Sequence, residues 1–76
     1  MSEEMPEKVR ELFMTFKAAV EREKEAQSMY RHAAELSHDE ELKGILIGFS
    51  IDEARHEKAL VERYNRMRKE YHIQEE

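Results

Sequence analysis

Two stretches of about 30 residues place apolar side chains at alternating steps of three and four, and only one good break, Leu36-Ser37-His38-Asp39, separates them. That spacing is the signature of a helix with one buried face. The first stretch reads Val9, Leu12, Phe16, Ala19 with Val20, Ala26, Tyr30, Ala33 with Ala34; the second reads Leu42, Leu46, Phe49, Leu60, Tyr64. Pro6 suits a first helical turn, where its missing N–H costs little, and Glu3, Glu4 and Glu7 suit the positive end of that helix. Asp39 fits an N-cap ahead of Glu40 and Glu41, while Ser37 with Glu40 fits a capping box, so two starts compete. The expectation is one domain over residues 1–76. Helix 1 covers about 6–36, helix 2 about 40–70, residues 1–5 fray, and 71–76 form a polar tail. A connection this short makes an antiparallel hairpin with arms of about 45 Å.

Composition supports that outline. Charged residues make up 41% and apolar ones 39%, with two Gly and one Pro, which favours long amphipathic helices over strands. The absence of Cys excludes disulfides, thiolate zinc sites and iron–sulfur ligation. A net charge of −5 gives no reason to expect nucleic acid. No apolar run approaches membrane-spanning length and the N-terminus lacks a signal-peptide pattern, so a cytoplasmic protein without a membrane partner is expected.

Two helices alone leave both apolar faces half covered. A second copy would complete an all-α four-helix bundle. Gly44, Ile47, Gly48 and Ile51 form another stripe, roughly opposite the main face of helix 2. Each glycine inside a helix costs about 1 kcal/mol relative to Ala, so the stripe either marks close approach of another element, and an assembly larger than a dimer, or merely thickens the hydrophobic face.

Polar residues interrupt the main faces at one level. Glu53 and His56, one turn apart, sit among Leu46, Phe49, Leu60 and Tyr64; Glu23 sits in the Phe16–Ala19–Ala26–Tyr30 stripe. Glu23 lies fifteen positions before residue 38 and Glu53 fifteen after it, so a hairpin folded there brings both to the same height. Uncompensated carboxylates in a core cost several kcal/mol, roughly, and a cation removes that cost. Two hairpins around a two-fold axis would offer four carboxylates and two imidazoles, the donor set of dinuclear sites in four-helix bundles. Four carboxylates balance two divalent ions. The oxygen-rich set suits iron or manganese, and zinc can also bind. Glu-x-x-His alone is a weak motif: Glu35-x-x-His38 matches it too, but straddles the helix end. Tyr30 lies on the face of Glu23, where core packing is the ordinary role and contact with the metal surroundings the sharper one. Asp52 and Glu57 flank the motif, either as solvated charges or as groups that orient His56. His32 and His72 are expected in solvent.

The stretches Glu23-Lys24-Glu25-Ala26-Gln27-Ser28-Met29-Tyr30, Asp39-Glu40-Glu41-Leu42-Lys43 and Asp52-Glu53-Ala54-Arg55-His56-Glu57 resemble the ferritin-like superfamily in its rubrerythrin-type branch. With one hairpin per chain, the likeness is nearest to the encapsulated ferritins, and it covers about residues 19–64. The resemblance implies a di-iron ferroxidase site shared by two subunits, with Glu23, Glu53 and His56 as iron ligands and Tyr30 as an aromatic beside them. It also implies oxidation of Fe(II) by dioxygen or peroxide for iron storage or detoxification, a ring of dimers (a decamer), and packaging as cargo in an encapsulin nanocompartment. Two features depart from that family. Residues 71–76 do not look like its shell-targeting peptide, and the acidic pair on its iron path is here Arg22 and Glu25. A complete rubrerythrin would need a Cys-ligated iron. The expected function is therefore ferroxidase, with a metal-bridged helical adaptor without turnover and a rubrerythrin-like peroxide-reducing protein as alternatives.

Overall fold

The computed structural model describes residues 6–72, and within them the fold is two helices packed on each other: α1, Glu7–Leu36, and α2, Glu40–Glu70. Residues 1–5 and 73–76, where fraying and most of the polar tail were expected, lie outside the described residues. Pro6 sits one residue ahead of α1, with φ −56° and ψ 149°, and its carbonyl accepts the first bond of the ladder from Arg10 N at 3.0 Å. Its fixed φ and lack of an N–H suit that boundary as well as they suit a first turn.

The turn resolves the two competing starts. Asp39 caps α2: its Oδ1 accepts from Glu41 N at 2.9 Å and Leu42 N at 3.3 Å. Such a cap contributes about 1 kcal/mol. Ser37 lies two residues ahead of it, its Oγ accepting from Asp39 N at 3.1 Å. Arg68 and Lys69 in the last turn of α2 oppose its negative end. The helix stops at Tyr71, whose N–H bonds Met67 O at 3.0 Å, and His72 follows in the left-handed region at φ 56°.

The seam between the helices has a strict three–four alternation. From α1 it takes Val9, Phe13, Phe16, Val20, Glu23, Gln27, Tyr30, Ala34 and Ser37. From α2 it takes Lys43, Leu46, Ser50, Glu53, Glu57, Leu60, Tyr64 and Met67. Each of these is buried or half-buried. This is the spacing of a two-helix coiled-coil seam. Ring contacts confirm the antiparallel register, with Phe13 stacked on Tyr64 (centroids 4.7 Å, planes 13° apart) and Tyr30 tilted against Phe49 at 5.3 Å.

The seam is rotated from the stripe read off the sequence. Leu12, assigned there to the core, is 51% exposed, and Phe13 takes its place at 5%. In α2, Leu42, Phe49 and His56, spaced seven apart, flank the seam on the surface instead of pointing into it. The reason is physical. The hydrophobic stripe on each helix is wider than the contact with the other helix, and its midline, which periodicity reports, lies between the face turned to that helix and the face left open. The open face carries Leu12, Leu42 and Phe49 on the surface, with Phe16, Ala19, Ala26 and Tyr30 partly covered beside them.

Candidate metal centre

Halfway along the hairpin the apolar seam gives way to acid. Glu23 of α1 and Glu53 of α2 face each other there, and their side chains keep only 23% of their exposure. His56, one turn after Glu53, lies at the border of the open face with its side chain 61% exposed. Its Nδ1 is 3.3 Å from Glu53 Oε1 and 3.7 Å from Glu23 Oε1. One ligand atom from each of the three residues can be chosen so that all lie within 4.8 Å of one another. Two donors each about 2.1 Å from one ion are separated by at most about 4.2 Å, so the histidine-to-carboxylate distances fit a common ion. Burial continues the case: Glu23 Oε1 is sealed from water and has no hydrogen-bond donor. A buried acceptor without a donor costs about 1–3 kcal/mol, and a cation satisfies it. The residues present therefore fit a divalent ion.

Electrostatics follow from this crowding. The Glu23 carboxyl is held above its ordinary value of 4.5, first by a hydrogen bond shared with Glu53, then by burial and by the neighbour's negative charge, with His56 pulling the other way. Glu53 moves down, chiefly because it accepts that hydrogen bond, with His56 helping and burial opposing. Two carboxylates this close share a proton readily, the behaviour of coupled acids.

The flanking residues separate cleanly. Tyr30 packs on Phe49, about two turns from Glu23. Asp52 pairs with Arg55 at 3.3 Å on the exposed surface. Glu57 does not turn toward His56; it crosses the hairpin and its Oε1 accepts from Gln27 Nε2 at 2.6 Å. Gln27 is a neighbour of the cluster that the sequence reading did not single out, although its place in the seam, four residues after Glu23, was a usable signal. Glu35 and His38 are both exposed at the turn, and His32 and His72 are exposed as well. Among the described residues, Glu23, Glu53 and His56 form the one cluster that could hold a metal. Among the described residues, no helix is long and apolar enough to cross a membrane.

Sequence and structure comparisons leave the chain without a family: no family model, no curated protein and no solved structure matches it.

Proposed function

We propose that two copies of this hairpin close on each other through the open face and hold two iron ions between them, as a ferroxidase. The observation that carries the reading is the clustering of Glu23, Glu53 and His56 ligand atoms within 4.8 Å of one another, with the water-sealed Glu23 Oε1 lacking a hydrogen-bond donor. One hairpin supplies two carboxylates and one imidazole, too few donors to enclose two ions. A two-fold mate supplies the rest and covers Leu12, Leu42 and Phe49, whose exposure is 45–51%.

Iron, when bound, supplies the electrons that reduce dioxygen or peroxide. The chain's own contributions are narrower. Glu23 and Glu53 give up their shared proton and neutralise the cations. His56 presents Nδ1 as a neutral donor. The apolar seam continues on either side of the half-buried carboxylates, through Phe16, Val20, Leu46 and Leu60. The Gly44–Ile51 stripe, turned away from this face, offers the second contact that would join dimers into a larger ring.

Native mass spectrometry of metal-free protein under anaerobic Fe(II) addition, followed by oxygen-uptake measurement, tests this. Two irons per pair of chains and oxygen consumption are expected, with both abolished in Glu53→Ala and His56→Ala. Full activity in those variants would sink the assignment. Stoichiometric metal uptake without oxygen consumption would instead make the site a structural clamp.

A further inference from the structure

The hydrogen bond between Gln27 and Glu57 crosses the hairpin, from Nε2 on α1 to Oε1 on α2 at 2.6 Å. Gln27 lies four residues after Glu23, and Glu57 lies four residues after Glu53. Helical side chains lean toward the N-terminus of their own helix, which on each helix brings these groups back toward the carboxylate pair. Because the helices run antiparallel, the bond takes an oblique course along the seam.

It also forms on the far side of that pair. Glu23 and Glu53 occupy the seam line that borders the open face, with Phe16, Tyr30, Leu46 and Leu60. Gln27 and Glu57 occupy the other line, with Val20, Ala34, Ser50 and Tyr64. These four residues make a polar layer across the middle of the seam, and Gln27–Glu57 is its rear wall.

We infer that Gln27 and Glu57 are positioning residues for the metal site: a diagonal strut that fixes how far α1 can slide along α2. This inference rests on the metal-site reading above. A slip of one residue moves the helices by about 1.5 Å, enough to break so short a bond. The same slip would pull Glu23 off the level of Glu53 and His56. The bond has a charged acceptor, which makes it stronger than a neutral one, and its oblique course resists sliding in a way that apolar seam contacts do not. Leucines slide past leucines at little cost; this pair has one register.

The test uses Co(II) as an oxygen-insensitive probe, titrated into the metal-free protein and followed by native mass spectrometry and visible absorption. Gln27→Leu/Glu57→Leu removes the bond without leaving either group unpaired, so the metal-free hairpin should keep its helicity and melting temperature. Its Co(II) affinity should fall about tenfold or more, the usual cost of losing the support behind a ligand, and its absorption band should change shape. Exchanging the pair, Gln27→Glu/Glu57→Gln, rebuilds the bond with reversed polarity and should restore both affinity and spectrum. Wild-type Co(II) binding in the double leucine variant would overturn the strut, as would an exchanged pair as weak as the leucine one. Failure of the unmodified protein to bind Co(II) would instead remove the metal site itself, and the strut with it.

Discussion

The two halves of the hairpin, divided at the Glu23–Glu53 level, bury different things. Toward the termini, Phe13 and Met67 are buried and Phe13 stacks on Tyr64. Toward the turn, the buried residues are Ala34 and Ser50, while Met29, Leu36, Leu42, Ile45, Ile47, Phe49 and Ile51 stay 44–66% exposed. The terminal half buries two large side chains within one chain, while Leu12, Met14 and Tyr71 stay 45–56% exposed. The turn half buries small ones and leaves large ones out, and it does so on more than one side: Leu42 and Phe49 border the open face, while Ile47 and Ile51 line a groove with Ala34 and Ser50 on another. The lesson is a division of labour. One half buries large side chains between the helices, and the other leaves the larger share of them free for the contacts that the proposed association would make.

That division predicts opposite responses to truncating a phenylalanine. Phe13→Ala removes a buried ring and its stacking partner, and should cost about 3 kcal/mol or more at every protein concentration. Phe49→Ala acts on a ring that the single chain leaves 45% exposed. Its effect should be small in dilute solution and grow with concentration, because stability gained from association follows mass action. Chemical denaturation across a range of concentrations measures both. Parallel concentration dependence in the two variants would erase the distinction between the halves.

Glycine gives a sharper version. A Cβ added at Gly44 or Gly48 meets no atom within 4 Å in the single chain. Gly48→Ala should therefore stabilise the dilute hairpin by about 1 kcal/mol, through helix propensity alone. If another copy packs closely on that surface, Gly48→Leu should shrink the assembly, seen by light scattering, with helicity intact. Unchanged assembly size would leave the glycines without a role in association and confine the sticky surface of the turn half to the open face.

Much of this was legible before any coordinates. The break at Ser37–Asp39, the hairpin and the shared level of Glu23, Glu53 and His56 follow from counting residues, because helical rise is nearly constant. What counting could not supply was rotation. Leu12 and Phe13 are adjacent and both apolar, and only the meeting of two particular helices chooses between them. The same limit hid Gln27, since a glutamine on a helix flank is ordinary until its partner is known to be Glu57. It also left Glu57 ambiguous: beside His56 in sequence it read as either a solvated charge or a group that orients the imidazole, while the seam turns it toward α1.

The smallest effect belongs to the level where the halves meet, and its sign depends on pH. Glu23 has a raised folded value, so its contribution to stability is full below the ordinary 4.5 and is lost as pH rises through that raised value. Glu53 is lowered, so its contribution is present above 4.5 and is lost as pH falls through the lowered value. For the metal-free protein at neutral pH the Glu53 contribution is intact, while the Glu23 one declines once the pH passes its raised value. Glu23→Gln, which keeps the shape and a hydrogen bond to Glu53 but cannot ionise, should then raise the metal-free melting temperature by a few degrees at most. The gain should vanish at acidic pH, where the native carboxyl is itself protonated. Added divalent metal should reverse the order at neutral pH, because the native protein gains a bound ion that the glutamine variant loses. A variant less stable than the native chain at neutral pH without metal would mean that the two carboxylates do not oppose each other. The middle of the hairpin would then be ordinary seam, and the contrast between its halves would have no polar boundary.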